Sequence, residues 1–271
     1  MDFLKLMRPK HYIKNALVFV PVMYAGDAGD LGMLLSVIIC FTAFCFAASG
    51  IYVVNDIFDK QSDAVHPVKR QRPVASGRIS VPAAAVFAAF LIGAGVAFAA
   101  FGGRWVLLFL GLYIVLNLAY SFKLKHFVII DCFCVAAGFV IRIYAGGAAV
   151  GAYISEWLFL TITAGSLFMA FGKRRGDKIK GYNAEFLNGI IFACASLSVV
   201  FYALWAMAGE NFMIFTVPLF IFILCKYLLA VYDDSENYGD PVSLILGDKV
   251  LICAVFAFAV LSFVLLYCSI P

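Results

Sequence analysis

Three aspartates followed by a basic run are the residues of this chain best suited to chemistry. Asp56, Asp59 and Asp63 are spaced three and four residues apart, so a helix would place them on one face. Carboxylates at that spacing repel each other, and they follow an apolar run, where the carboxyl end of a helix disfavours negative charge. A divalent metal carrying a phosphate ester would relieve both problems. The basic side chains that would hold the remaining phosphate charge are Lys69, Arg70 and Arg72.

The elements that must position these residues are membrane-spanning helices. The chain has 271 residues, of which 65% are hydrophobic and 13% charged, and its mean hydropathy is +1.00. This composition excludes a soluble domain and indicates an integral membrane protein. The apolar runs do not alternate as strands would, so an all-α protein is expected. We predict nine spans, at about 13–25, 33–54, 82–101, 105–121, 127–146, 155–172, 187–208, 212–231 and 250–270.

The distribution of lysine and arginine predicts the orientation of these spans. Basic residues precede span one and follow spans two, four and six, whereas the loops on the opposite side hold Arg104 alone. By the positive-inside rule, the N terminus and the acid-bearing loops are cytoplasmic, in a multi-pass protein of the cell membrane. The whole chain, 1–271, is expected to form one polytopic transmembrane catalytic domain. No nucleic-acid partner is expected, and the oligomeric state is left open because lipid-facing and helix–helix surfaces have similar compositions.

One arginine lies inside a predicted span. Arg142 follows Asp131 by eleven residues, which is about 16 Å along a helix at about 1.5 Å per residue. An arginine within a span is costly and usually faces a cavity or a partner. Alternatively, it snorkels to the outer headgroups. The sequence leaves both interpretations open.

Further polar clusters lie on the predicted cytoplasmic side. They are at 8–15 before the first span, 120–125 between spans four and five, and 172–177 after span six. An acidic stretch at 232–241 is interpreted as a solvated loop rather than a ligand site. Lysine and arginine at cytoplasmic helix ends also serve topology or anionic-lipid binding, so their presence alone does not establish a substrate site.

The segment 55–63, which reads Asn-Asp-x-x-Asp-x-x-x-Asp after an apolar helix, resembles the first aspartate motif of the UbiA-type intramembrane prenyltransferases. The resemblance runs along the whole chain. It implies nine transmembrane helices around a central cavity that opens to the cytoplasm and laterally to lipid. It also implies that the motif holds a diphosphate through Mg²⁺. The segment 120–125 is similar to the family's Tyr/Lys element, with lysines three and five residues after Tyr120.

The segment after span six departs from the usual pattern of that family. Typical members carry a second DxxxD there, whereas this chain has Lys173, Arg174 and Arg175. Together with the segments 8–15 and 66–73, this resembles the decaprenyl-phosphate phosphoribosyltransferase branch. That resemblance implies transfer of 5-phosphoribosyl from phosphoribosyl diphosphate to a polyprenyl phosphate. The charge pattern agrees, because two polyanions repel each other unless fixed cations intervene.

This hypothesis assigns a role to each candidate residue. Asp56 and Asp59, with Asp63 through water, would hold Mg²⁺ on the diphosphate, and Asn55 would orient the metal shell or bind a ribose hydroxyl. The basic run after the acids would neutralise the leaving diphosphate. The attacking lipid phosphate is already an anion, so no strong general base is needed. The other candidates for substrate binding are Lys14, Tyr120, Lys125, Arg142, Lys173 and Arg174.

Two other functions compete with this hypothesis. An aromatic prenyltransferase with a prenyl diphosphate donor fits the first aspartate motif but not the missing second one. An ion-coupled transporter would suit charged residues near membrane level. However, alternating access predicts polar groups in both halves of the membrane, and here they concentrate on one side. We therefore expect an Mg²⁺-dependent polyprenyl-phosphate phosphoribosyltransferase that releases diphosphate.

Overall fold

The chain is all-helical wherever the computed structural model describes it, which is over residues 1–24, 30–176, 181–209, 212–232 and 241–267. No strand is present in these ranges. Most of the predicted acidic loop at 232–241, and the last residue of the basic segment 172–177, lie outside them. The chain divides into two compact units, which are Met1–Cys134 with Ile141–Tyr153 and Val135–Val140 with Ile154–Pro271.

The helices of the first unit carry all of the predicted acidic ligands. They are α1 Asp2–Met7, α2 Val20–Tyr24, α3 Leu31–Phe58, α4 Lys60–Val65, α5 Val81–Phe101, α6 Arg104–Phe122 and α7 Ile130–Val150, of which Val135–Val140 belongs to the second unit. Three 3₁₀ helices complete the unit, at Pro9–Phe19, Lys69–Gln71 and Leu124–His126. The long helices begin at clear caps. Asp30 accepts from the Gly32 amide at 2.7 Å before α3, and Ser80 accepts from the Ala83 amide at 3.4 Å before α5.

Helices α3 and α5 pack closely because glycines lie where they cross. A Cβ on Gly50 would lie 3.0 Å from the carbonyl oxygen of Ala88, and one on Gly95 would lie 2.9 Å from that of Ala43. Small residues let backbones approach in a membrane, where packing rather than the hydrophobic effect drives helix association. This contact fixes the C-terminal part of α3, which carries Asp56.

The N-terminal segment docks on the same part of α3. Leu6 is fully buried in a core cluster with Val53. The Ser49 hydroxyl donates to the Met7 carbonyl at 3.0 Å. Between α1 and the first 3₁₀ helix, Arg8 has a φ of 53°, a left-handed conformation that is uncommon for a residue with a Cβ. The fold therefore holds Arg8 beside the end of α3.

The second unit contains five helices and a 3₁₀ helix at Phe212–Thr216. The helices are α8 Glu156–Gly176, α9 Ala184–Ala208, α10 Val217–Tyr232, α11 Pro241–Gly247 and α12 Lys249–Tyr267. Asp248 caps α12 by accepting from the Val250 amide at 2.9 Å, and its carboxylate also lies 2.9 Å from the Lys226 ammonium. The hydrogen bonds from Lys226 and the Leu251 amide hold the pKa of Asp248 below its usual range. The carboxylate therefore remains an ionised cap at neutral pH.

Seven helices in the described part of the chain are long and apolar enough to cross a membrane. They are Leu31–Phe58, Val81–Phe101, Arg104–Phe122, Ile130–Val150, Ala184–Ala208, Phe212–Tyr232 and Lys249–Tyr267. The range Phe212–Tyr232 joins the 3₁₀ helix at Phe212–Thr216 to α10. The chain is therefore a multi-pass membrane protein, and seven of the nine predicted spans are confirmed.

The first and sixth predicted spans are not confirmed. The region of 13–25 forms the end of a 3₁₀ helix and the five-residue α2, which are too short for a straight α-helical span. The region of 155–172 lies in α8, which has 21 residues but is less apolar than the other long helices because it carries Thr, Ser, Gly and a basic end.

Candidate active site

The first acid of the motif is buried and bound by two arginines. Asp56 lies near the C-terminal end of α3 with 2% of its surface exposed. Its carboxylate accepts hydrogen bonds from the guanidinium groups of Arg8 and Arg72, the latter at 3.1 Å. A buried carboxylate is stable only when charge and hydrogen bonds compensate it. The two arginines supply both.

Arg72 also binds the third acid of the motif. Its Nη1 atom lies 2.6 Å from Oδ2 of Asp63, which is 4% exposed, and 3.1 Å from Oδ1 of Asp56. One guanidinium nitrogen therefore lies between two buried carboxylates. The cation that the sequence predicts between these acids is present here as a side chain.

The second acid of the motif has a different partner. Asp59 lies between α3 and α4, with a ψ of 4°, and its carboxylate accepts from the Lys125 ammonium at 2.5 Å. Among the described residues, no group of three His, Cys, Asp or Glu side chains is gathered as a metal site. This differs from the expected triad on one helical face, because the helix is interrupted at Asp59, whose carboxylate pairs with Lys125, while Arg72 binds both Asp56 and Asp63.

The residues of the motif nevertheless fit a divalent cation. Asp56 and Asp63 already converge on one positively charged nitrogen. The side-chain oxygen of Asn55 is buried and accepts no hydrogen bond from the described residues. Buried acceptors without a partner are rare, and each needs an explanation, such as an ion or a ligand. Carboxylate and amide oxygens are the hard donors that such ions bind.

Arg8 is a site residue that sequence reasoning did not assign. Its guanidinium carbon lies 5.1 Å from the centre of the Tyr52 ring, in addition to the ion pair with Asp56. Nearby, the hydroxyls of Tyr12 and Ser49 are 2.9 Å apart, and burial raises the pKa of Tyr12. The available signal was a basic residue in the N-terminal polar cluster, but the sequence does not show that this cluster reaches the aspartate motif.

Arg142 is buried within the first unit. Its Nε donates to Oδ1 of Asn15 at 2.8 Å, its Nη2 donates to the Tyr113 hydroxyl at 2.8 Å, and its guanidinium carbon lies 4.5 Å from the centre of the Tyr113 ring. Asn15 donates in turn to the Cys45 sulfur at 3.3 Å. Arg142 therefore faces protein partners rather than the headgroups, as one of the two sequence interpretations holds. Sequence reasoning did not assign Asn15 or Tyr113 to this network.

The remaining candidates in the first unit are more exposed. Lys14 and Tyr120 are half-buried and interact with other described residues. Lys69 and Arg70 are exposed, and neither side chain forms an ion pair within the described ranges. Their turn is shaped by His66, whose Nδ1 accepts from the Lys69 amide at 3.3 Å. The structure therefore brings Arg72, but not Lys69 or Arg70, to the acids.

The predicted basic cluster of the second unit lies at the end of α8. Arg174 is 8% exposed and Lys173 is half-buried. Arg175 binds two neighbouring helices, because its Nε donates to Oδ1 of Asn188 at 2.8 Å and its Nη1 donates to the Val231 carbonyl at 3.2 Å. Arg175 therefore fixes the end of the helix that carries the other two basic residues.

Comparison with known proteins identifies relatives of the whole chain. The chain is 38% identical over 273 residues to the decaprenyl-phosphate phosphoribosyltransferase of Corynebacterium glutamicum, covering 92% of this chain and 81% of that protein. It is 33% identical over 278 residues to the protein of the same name from Mycolicibacterium smegmatis, covering 92% and 87%.

A solved structure and the sequence model of a protein family also match this chain. The fold is similar to that of a UbiA homolog from Archaeoglobus fulgidus bound to GPP and Mg²⁺, with a TM-score of 0.78 at 18% identity over 98% of this chain and 99% of that one. The sequence model of the UbiA prenyltransferase family matches residues 16–241. The family predicted from the aspartate motif is therefore confirmed. The chain belongs to the UbiA prenyltransferase family.

Proposed function

We propose that the protein transfers 5-phosphoribosyl from phosphoribosyl diphosphate to a polyprenyl phosphate of the decaprenyl type and releases diphosphate. The observation that carries this proposal is the similarity to two enzymes named decaprenyl-phosphate phosphoribosyltransferase, which spans 92% of this chain in each case. That similarity favours phosphoribosyl transfer over aromatic prenyl transfer and over ion-coupled transport. A cytoplasmic N terminus, cytoplasmic active-site loops and nine spans in the cell membrane belong to the same proposal.

The charges of the first unit support a polyanionic donor. Its three motif acids are matched by three cationic side chains, Arg8, Arg72 and Lys125. A donor with two phosphorylated groups needs several fixed cations, because phosphate charges a few ångströms apart repel each other strongly in a membrane-embedded site. Arginine suits this role, since its planar donors bind phosphate oxygens in pairs.

The acids and the amide would hold the metal that such a donor requires. Asp56, Asp63 and Asn55 would hold Mg²⁺ directly, and Asp59 would act through water, since its carboxylate pairs separately with Lys125. When bound, Mg²⁺ would neutralise the diphosphate as a leaving group. This assignment moves Asp63 into the direct set and Asp59 out of it, relative to the expectation from spacing.

The protein groups then support a simple displacement at the anomeric carbon. Arg72 stabilises charge on the diphosphate oxygens as the bond to the anomeric carbon breaks and its electron pair leaves with the diphosphate. A new bond forms between that carbon and an oxygen of the lipid phosphate. The lipid phosphate is already ionised, so no side chain needs to remove a proton.

The other basic residues are proposed to bind the remaining phosphate groups. Lys173 and Arg174 of the second unit are assigned to a phosphate, because they stand where typical family members carry a second acidic motif. The lipid phosphate and the ribose 5-phosphate both need such partners. Further proposed substrate contacts come from the first unit, from Lys14, Lys69, Arg70, Tyr120, Lys125 and Arg142.

A donor test decides between the candidate reactions. The purified protein is incubated with Mg²⁺ and a polyprenyl phosphate plus labelled phosphoribosyl diphosphate, and separately with a prenyl diphosphate plus 4-hydroxybenzoate. We expect a labelled, Mg²⁺-dependent lipid in the first reaction. Product in the second reaction alone would establish an aromatic prenyltransferase. No product in either reaction, from folded protein, would refute the proposed function.

Substitution of the metal-binding acids gives a second test. Asp56→Asn and Asp63→Asn should each reduce turnover at least about a hundredfold, because several kcal/mol of metal-dependent stabilisation are lost and each tenfold is about 1.4 kcal/mol. Both variants keep the side-chain volume but leave a paired arginine without its anion, so the thermal midpoint of each is recorded to show that it is folded. Glu185→Gln, which removes an exposed carboxylate from the first turn of α9, is the control. Near-normal activity in both asparagine variants would contradict the metal assignment.

A further inference from the structure

We propose that Arg8 and Arg72 exchange partners during donor binding. In the free protein they neutralise Asp56 and Asp63, and when a metal binds these carboxylates the two guanidinium groups move to the phosphate oxygens of the donor. This inference rests on the proposed function only in that the donor carries a diphosphate. It assigns a role in donor binding to Arg8. For Arg72 it predicts that the carboxylates are bound first and the donor phosphate afterwards.

The position of the Arg72 nitrogen requires such an exchange. Nη1 lies 2.6 Å from the Asp63 oxygen and 3.1 Å from the Asp56 oxygen. A divalent cation that these two carboxylates would hold needs the space next to their oxygens that this nitrogen fills. The nitrogen and the metal cannot share this space, and their positive charges repel each other. Arg72 must therefore leave the acids when a metal bridges them.

The exposure of the side chains shows where the arginines can go. The Asp56 side chain is 2% exposed, whereas those of Arg8 and Arg72 are 20% and 26% exposed. The arginine side chains are therefore more accessible than the carboxylate that they bind. An incoming polyanion meets these cations before it reaches the acids, so the arginines can transfer to it without crossing the core.

The backbone around Arg8 is suited to a side-chain movement of this kind. The hydrogen bond from Ser49 to the Met7 carbonyl at 3.0 Å holds the chain immediately before it. The ring of Tyr52 lies 5.1 Å from the guanidinium carbon and provides a second favourable contact for the cation. The side chain can thus release Asp56 while its backbone and its aromatic contact remain.

The charge count predicts that metal and diphosphate bind cooperatively. Each of the three motif acids has a cationic partner, so the cluster is close to neutral without a ligand. A divalent metal alone must displace these partners and leaves them uncompensated. A metal that arrives with a diphosphate brings the anion that the displaced arginines then bind. By linkage, each ligand raises the affinity for the other.

Metal binding without turnover tests this exchange. Mn²⁺ replaces Mg²⁺, and the electron paramagnetic resonance signal of free Mn²⁺ is measured during titration of the purified full chain in nanodiscs. Arg72→Gln and Arg8→Gln should each bind Mn²⁺ alone at least about tenfold more tightly than the unmodified protein, a change equivalent to about 1.4 kcal/mol. The competing cation is absent from these variants, so the acids are available to the metal.

Two control variants identify the cause of any tighter binding. Lys60→Gln removes a positive charge next to Asp59, from an exposed side chain that forms no ion pair within the described ranges, and its Mn²⁺ affinity should match that of the unmodified protein. Asp56→Asn combined with Arg72→Gln should not show the higher Mn²⁺ affinity of Arg72→Gln alone. That result would show that the Mn²⁺ binds at the acids. The thermal unfolding midpoint of every variant is recorded to confirm that it is folded.

The second half of the exchange is measured with labelled inorganic diphosphate at a fixed concentration of Mg²⁺. Arg72→Gln should bind it about tenfold more weakly, which corresponds to the loss of about one charged contact. The proposal is overturned if Arg72→Gln binds Mn²⁺ no more tightly, if Lys60→Gln gains as much, or if diphosphate binding is unchanged. Inorganic diphosphate contains neither ribose nor a prenyl group. If the donor test fails but the Mn²⁺ and diphosphate affinities change as expected, the proposed function alone is refuted. If the donor test succeeds but these affinities do not change, the exchange alone is refuted.

Discussion

Two glycines on α5 allow backbone packing to be separated from helix propensity. A Cβ on Gly95 would lie 2.9 Å from the Ala43 carbonyl oxygen and 3.0 Å from the Ala47 amide nitrogen, both of which are backbone atoms of α3. A Cβ on Gly93 would have no atom within 4 Å. The two alanine substitutions therefore share a chemical change and a helix but differ in their surroundings.

The expected stabilities follow from these distances. Alanine is favoured over glycine in a helix interior by about 1 kcal/mol, so Gly93→Ala should be slightly more stable than the unmodified protein. Gly95→Ala gains the same stabilisation from helix propensity, but its Cβ must push α3 and α5 apart. Overpacking of this kind typically costs about 1–3 kcal/mol. Because backbone atoms cannot move aside as side chains do, we expect Gly95→Ala to be about 1–3 kcal/mol less stable than Gly93→Ala.

Thermal unfolding in detergent with a thiol-reactive dye measures this difference. The exposed thiols of Cys225 and Cys253 react with the dye before unfolding and set the baseline. Cys40 and Cys45 are buried free thiols of α3, so their exposure adds to the signal when the α3–α5 packing is lost. Gly95→Ala should also lower turnover, because α3 carries Asp56. Equal midpoints for the two variants, or a higher midpoint for Gly95→Ala, would refute the argument that glycine is needed for this contact.

Three further predictions concern the arginines and the basic cluster. Arg142→Lys should lower the unfolding free energy by about 2–4 kcal/mol, because lysine keeps the buried charge but lacks the planar donors that bind two partners at once; a stability equal to that of the unmodified protein would contradict this. Arg175→Gln should lower the thermal midpoint without abolishing turnover at saturating substrate, and loss of turnover from a fully folded variant would instead make it a substrate ligand. Lys173→Ala combined with Arg174→Ala should raise the apparent KM for a phosphorylated substrate about tenfold or more while the protein stays folded, since a charged contact is worth about 1.5–3 kcal/mol. Unchanged kinetics would indicate that Lys173 and Arg174 serve membrane topology or lipid binding instead.

The sequence predicts most of the membrane architecture and the centre of the site. Seven apolar runs are long enough that helices are the required structure in lipid, and the structure confirms all of them. The two runs that differ are the short one at 13–25, which contains Pro21, and the one in α8, which is less apolar than the other long helices. The aspartate motif also predicts acids that need cationic partners, because the repulsion between closely spaced acids is a local property, and the structure pairs each acid with an arginine or a lysine.

The partners of these acids depend on the tertiary structure. Arg8 and Asp56 are separated by 48 residues, and Arg142 and Asn15 by 127. No local pattern specifies such pairs, because they form only when separate helices pack at fixed positions and angles.

Hydrophobic run length and charge spacing thus determined by themselves that this chain is a multi-pass helical protein with a cation-requiring acidic motif. Tertiary packing alone decided that Arg8 and Arg72 compensate the buried acids, that Asp59 pairs with Lys125, and that Arg142 is held inside the protein. The physical reason is that lipid forces each apolar segment to satisfy its own backbone hydrogen bonds, whereas a buried charge must find its partner wherever the packed helices place one.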